Sequence, residues 1–177
     1  TKIAKESGID VVVYMANCEP SLDNFKQILC SLNEKRYCKA IPVSAITINL
    51  QGKKLVDINK IKKHVVGFSD DGKCLEDLGL LKEIFEERVL VLAHCSPCYE
   101  KSIANPNLET KMIEKYLSVL EKTKGKLHIQ HISKKESVEL IRSVKEQGVQ
   151  LTCETCPHYF TYTRDDLLLG SNMTSMA

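Results

Sequence analysis

Val65-Val66-Gly67-Phe68-Ser69-Asp70-Asp71-Gly72 is the stretch on which the fold turns. A short apolar run ends there on two carboxylates and a glycine. The arrangement recurs further on: Val89-Leu90-Val91-Leu92-Ala93 runs into His94, and Leu127-His128-Ile129-Gln130 runs into His131, with helix-like segments between. In a parallel α/β sheet or barrel every strand C-terminus lies on one face, so these polar side chains are expected to converge although they are distant in sequence. Convergence of that kind builds a metal site.

Outward from these three runs, the pattern predicts six strands: Asp10 to Met15, Ala40 to Ile48, His64 to Phe68, Val89 to Ala93, Lys126 to Gln130 and Val149 to Cys153. All are rich in Val, Ile and Leu and have the near-continuous apolar character of strands buried on both faces. Between them, Ser21 to Arg36, Leu75 to Glu87, Glu109 to Lys122 and Lys134 to Gln147 carry apolar residues at three- and four-residue spacing, and Ser133 is expected to cap the last of these helices. Gly8, Gly125 and Gly148 stand where helices should stop. The alternation predicts right-handed βα units and a parallel sheet. Thr1 to Ser7 reads as a helix with no strand before it, and Gly170 to Ala177 as a polar tail without a packing pattern. Six strands in alternation suggest the middle of an eight-stranded barrel, in a single partial domain spanning residues 1–177.

Composition narrows the class. At 177 residues and 43% hydrophobic, the chain can bury one sizeable core. Its formal charge is only +2, with lysines and acidic residues interspersed along the helices, so nothing asks for nucleic acid. The longest apolar stretches are about six residues, against the roughly 20 needed to span a bilayer, and the charged start is no signal peptide. The expectation is a soluble cytoplasmic protein. Eight cysteines in a chain of long α/β periodicity read better as free thiols than as a disulfide scaffold.

Each polar position has a plainer reading when taken alone. Asp70-Asp71-Gly72 is turn chemistry, and a lone histidine such as His94 is more often structural than a ligand. Three coincident strand ends change that balance towards a hard or borderline cation such as zinc, manganese or magnesium. Only one of His128 and His131 need point inward, and position at the strand end selects His131, leaving His128 as a packing or supporting residue. Cys95-Ser96-Pro97-Cys98 and Cys153-Glu154-Thr155-Cys156 are a rival metal pattern, but they are too far apart for a compact zinc ribbon. Asn17 follows the first strand on the same expected face and is a candidate for contacting a substrate carboxylate or amide. His158 is similarly placed.

Read together, these residues resemble the dihydroorotase branch of the amidohydrolase superfamily. Tyr14-Met15-Ala16-Asn17-Cys18-Glu19-Pro20 is similar to that family's M-P-N-T-x-P turn, and Gly67-Phe68-Ser69-Asp70-Asp71-Gly72-Lys73 to its F-S-D-D-G-K signature. Ala93-His94-Cys95, Leu127 to Ser133 and Glu154-Thr155-Cys156-Pro157-His158-Tyr159 continue the likeness in order. The resemblance implies a (β/α)8 TIM-type barrel, of which this chain covers roughly strands 2 to 7, with one or two zinc ions per full-length subunit. It implies Asp71, His94 and His131 as metal ligands and Asn17 as a substrate contact. The expected reaction is interconversion of dihydroorotate and N-carbamoyl-aspartate in pyrimidine biosynthesis, by a homo-oligomer or in association with another pyrimidine-pathway subunit. The family's first-strand H-x-H pair and its eighth-strand aspartate, the proton shuttle that the resemblance implies, have no counterpart in these residues. A chain without them is expected to be inactive by itself. Two other readings stand beside this one. The first is a hydantoinase- or allantoinase-like cyclic amidohydrolase, for which a lysine would be expected where Ser69-Asp70-Asp71 stands. The second is a non-catalytic dihydroorotase-like partner.

Overall fold

The computed structural model describes residues 1–96 and 107–162. The expected tail, Gly170 to Ala177, lies outside them, as do Pro97 and Cys98. Helix α1 (Lys2–Glu6) leads into β1 (Val11–Tyr14), followed by α2 (Phe25–Leu32), β2 (Lys39–Pro42), a 3-10 turn at Ile48–Leu50 and the short α3 (Ile58–Ile61). Next come α4 (Leu78–Glu86), β3 (Leu90–Ala93), α5 (Leu108–Leu120), β4 (Lys126–Ile129), α6 (Lys135–Glu146), β5 (Leu151–Cys153) and α7 (Pro157–Thr161).

Every pairing among the expected strand segments is parallel. β1 lies beside β2, from Val11 opposite Lys39 to Tyr14 opposite Pro42, and β3, β4 and β5 follow one another in chain order. Phe68 joins the two groups through parallel bridges to Ser44 on one side and Val91 on the other. Ladder bonds run both ways from this segment: Val66 N to Pro42 O at 3.0 Å, and Phe68 N to Leu90 O at 2.9 Å. The strands therefore form one arc in sequence order, as right-handed βα units require.

Two expected strands are shorter than their apolar runs. The Ala40 to Ile48 run is regular strand only to Pro42, because the backbone N–H groups of Ile46 and Thr47 are taken by the Asp70 carboxylate at 2.8 and 3.0 Å rather than by a neighbouring strand. Thr47 instead makes an antiparallel bridge to Leu55. Of the His64 to Phe68 run, only the end enters the sheet, since the His64 N–H closes a turn on Ile61 O at 2.9 Å. Glycine is required just before Phe68: a Cβ on Gly67 would stand 2.6 Å from Leu90 O and 2.5 Å from Leu92 Cδ1.

The helices are trimmed by identifiable bonds. The Ser21 to Arg36 pattern yields only Phe25–Leu32, with Asn24 Oδ1 capping Gln27 N at 3.1 Å. Leu22 lies outside the helix because its backbone bonds to Ala16 and Ala45. Asp77 caps α4 through Gly79 N and Leu80 N. Ser133, expected as the cap of α6, does not cap it; Lys134 occupies that position without a side-chain bond. The buried carboxylate of Glu109 on α5 instead fixes the entry to the helix, accepting from Ser133 N, Ser133 Oγ and Lys134 N. An anion beside the first turn is favourable there. Gly8 and Gly148 have φ of +79° and +90°, as helix stops should, but Gly125 does not. Its constraint is space, since a Cβ would lie 2.5 Å from the Phe85 ring.

The core lies between the convex face of the arc and the helices. Phe68, Phe85, Val91, Ile113, Tyr116 and Ile129 are all at most 1% exposed. Burial of side chains of this size contributes about 1.5–3 kcal/mol each, which fixes the strands rigidly enough to aim the polar side chains at their C-terminal ends.

Candidate metal centre

Three strand ends meet at the rim. Asp71 follows the Phe68 segment, His94 follows β3 and His131 follows β4, and one ligand atom from each lies within 4.8 Å of the others. His94 Nδ1 is 3.4 Å and His131 Nε2 3.7 Å from Asp71 Oδ1, while the two ring nitrogens are 2.8 Å apart. The imidazoles meet edge-on, with centroids 4.7 Å apart at 74°. All three side chains are largely shielded from solvent. Asn17, after β1, joins the group by donating from Nδ2 to Asp71 Oδ2 at 2.8 Å. One carboxylate oxygen thus faces the histidines and the other is held from behind.

The two aspartates separate here. The imidazoles of His131 and then His94 hold the Asp71 carboxyl well below the usual carboxylate range. Asp70 turns inward, 3% exposed, and accepts from Ile46 N, Thr47 N and Thr47 Oγ1. Burial pushes its carboxyl up, against the pull of those donors. Asp70 has no part in the cluster.

The donor set suits a zinc-type ion. Two imidazole nitrogens and a carboxylate oxygen are borderline ligands, and three protein ligands leave a position for water or substrate. Ligand atoms around a tetrahedral zinc with bonds of about 2.0–2.2 Å stand about 3.3–3.6 Å apart, close to both carboxylate–imidazole separations. The histidine pair is closer because the two rings hydrogen-bond.

The remaining candidates fall elsewhere. His128 bonds Thr152 Oγ1 at 2.8 Å and pairs with Glu154 at 3.2 Å, outside the cluster. His158 meets Tyr159 edge-on in α7, and its buried Nε2 has no hydrogen-bond partner. Among the described residues neither cysteine pair contributes to a group of three metal-ligating side chains. Cys95 is buried, which pushes its thiol well up, and Cys98 lies outside the described residues. Sequence reasoning missed Gln130, whose buried amide lies beneath the site, and Asp70 as an anchor. A lone glutamine in an apolar strand was the available signal for the first.

Comparison with known proteins adds to this geometry. No family model matches the chain. It is 32% identical over 196 aligned positions to a dihydroorotase of Ruminiclostridium cellulolyticum, a match covering 97% of this chain and 46% of that protein. The identity to the dihydroorotase of Caldicellulosiruptor saccharolyticus is 31%, over 95% of this chain and 45% of the relative. The chain is a homologue of the dihydroorotases. It spans about half the length of these curated relatives. Among solved structures, an L-hydantoinase (dihydropyrimidinase) from Arthrobacter aurescens superimposes with a TM-score of 0.76 at 20% identity, over 94% of this chain and 44% of that one. A D-hydantoinase gives 0.72 at 16%, over 95% and 43%. These establish the fold: the arc of parallel strands is part of a (β/α)8 barrel. Among the described residues of this dihydroorotase homologue, no helix is long and apolar enough to cross a membrane.

Proposed function

We propose that this chain supplies the metal-holding strand ends of a zinc-dependent cyclic amide hydrolase, a cytoplasmic dihydroorotase that interconverts dihydroorotate and N-carbamoyl-aspartate in pyrimidine biosynthesis. The observation that carries the reading is the meeting of Asp71, His94 and His131 at one point, on a chain 32% identical to a dihydroorotase. In this reading those three residues are metal ligands, serving one or two zinc ions per full-length subunit. Zinc, when bound, supplies a water whose pKa is lowered to about 7 and a charge that polarises the ring carbonyl.

The chain's own residues prepare the site. Asp71 is ionised and presents Oδ1 to both imidazoles, while Asn17 holds Oδ2. His94 and His131 each turn one ring nitrogen inward. Asn17 is the substrate contact; with one Nδ2 N–H engaged on Asp71, its second N–H and its carbonyl oxygen are left for a substrate carboxylate or amide. Protonation of the leaving nitrogen falls to an aspartate of the eighth strand, which these residues do not include. The 177 residues are accordingly one partial barrel domain with little turnover alone. The active assembly is a homo-oligomer or a complex with another pyrimidine-pathway subunit.

Hydantoinase-like chemistry is the second reading within the enzymes. Ser69-Asp70-Asp71 in place of the lysine that chemistry calls for favours dihydroorotase. The test offers dihydroorotate, hydantoin and allantoin to the zinc-loaded product of the whole gene. Turnover of dihydroorotate far above the other two is expected. Preference for hydantoin or allantoin would overturn the substrate, and absence of both turnover and bound zinc would leave a non-catalytic partner.

A further inference from the structure

Beneath the rim, a buried hydrogen bond crosses the end of β3. Ser69 Oγ donates to Gln130 Oε1 at 3.0 Å, with the two residues 0% and 4% exposed. Gln130 Nε2 points on to Met15 Sδ, a weak acceptor, at 3.7 Å. One amide therefore links the end of its own strand to the ends of two others. Ser69 lies two residues before Asp71, and Gln130 immediately before His131.

His131 needs such support. Its φ is 36°, in the left-handed region where a side chain crowds its own backbone. Conformations of this kind persist only where the surroundings over-determine them. On the far side, the Ile132 N–H is held by Glu154 O at 2.8 Å, and Thr155 Oγ1 donates to Ile132 O at 2.7 Å. On the near side the Gln130 N–H bonds Ala93 O at 3.1 Å, and the Gln130 amide bonds Ser69. Of these clamps, only the Ser69–Gln130 bond ties the His131 strand end to the segment that carries Asp71.

We propose that Gln130 is a positioning residue: its buried bond to Ser69 holds His131 in the left-handed conformation and fixes its separation from Asp71. The inference rests on the metal-site reading for its purpose but not for its geometry. The cluster's own contacts also draw the three residues together. The strut supplies a link that does not depend on them.

The test uses Gln130→Met, which keeps the volume and removes the amide, and Ser69→Ala, which removes one oxygen, each in the product of the whole gene. Crystal structures without metal are the first readout. In both variants His131 should leave positive φ, and the 3.7 Å between Asp71 Oδ1 and His131 Nε2 should open by more than about 1 Å, a rotamer-scale movement. Zinc affinity, by competition with a chromophoric chelator, and the cobalt(II) visible spectrum are the second. Each variant should lose roughly tenfold in affinity, the low end for supporting residues of metal ligands. The double variant should lose no more than the worse single one, because both remove the same bond. Ser69→Thr, which keeps the hydroxyl, should restore the spectrum. Unchanged φ and spacing in both single variants would overturn the proposal, as would fully additive losses. Displacement of His131 in a chain that takes up no zinc even as wild type would sustain the strut and refute the metal reading.

Discussion

Asp70 sits in a pocket below the strand ends, accepting from two backbone N–H groups and a hydroxyl, whereas Asp71, one residue on, stands at the rim among His94, His131 and Asn17. The two carboxylates have identical chemistry, and the fold gives them different work. Burial pushes the Asp70 carboxyl up, while the imidazoles of His131 and His94 pull that of Asp71 down. Successive residues at a strand end face opposite ways, so a pair of acids there divides into a buried anchor and a rim carboxylate. The anchor is bound up with the fold's stability. The rim carboxylate faces the two imidazoles.

The sharpest way to break this contrast is to remove each acid and measure both properties. Asp71→Ala should weaken zinc binding by about three orders of magnitude, or about 4 kcal/mol, as loss of one of three ligands implies. Its folding free energy by urea titration should change far less. Asp70→Ala should do the reverse, lowering stability by about 3 kcal/mol as Ile46 N, Thr47 N and Thr47 Oγ1 lose their acceptor. Equal effects of the two substitutions on zinc affinity would erase the distinction.

Asn17→Ala sharpens the rim side. Loss of the bond that holds Asp71 Oδ2 should cost about 10- to 100-fold in zinc affinity, read by the same chelator competition. An affinity within about twofold of wild type would confine Asn17 to substrate contact.

The smallest effect is in pH. Carbon-13 NMR of the two carboxyl groups should show Asp70 titrating above the ordinary value of about 3.9 and Asp71 below it. The linked stabilities have opposite signs. With its raised pKa, Asp70 contributes stability that is fully present below the ordinary value and is lost as pH rises through the raised one. Asp71 contributes stability that is present above the ordinary value and is lost as pH falls through its depressed one. Two carboxyls titrating together near the ordinary value would contradict both.

Much of this was legible in the sequence. Apolar runs placed the parallel segments, and three polar strand ends pointed to a shared rim, because the direction of a parallel strand follows from its βα connection alone. The features that stayed hidden depend on contacts between distant residues. Nothing near Ile46 or Thr47 says that their N–H groups will be taken by Asp70, so the second strand reads too long. Ser133 looks like a helix cap, but its hydroxyl is given to Glu109, 24 residues earlier. Leu22 fits a helical pattern yet is held outside α2 by bonds to Ala16 and Ala45. Gly125 has the sequence position of a helix stop, and only the approach of Phe85 reveals that it is a packing glycine.

Whether Asp71, His94 and His131 hold the metal is tested most directly by X-ray absorption at the zinc edge of the zinc-loaded chain. The expected result is a first shell of nitrogen and oxygen at about 2.0–2.2 Å with outer-shell scattering from two imidazole rings, which disappears in Asp71→Ala. A sulfur shell at about 2.3 Å would contradict it and return the metal to the cysteine pairs.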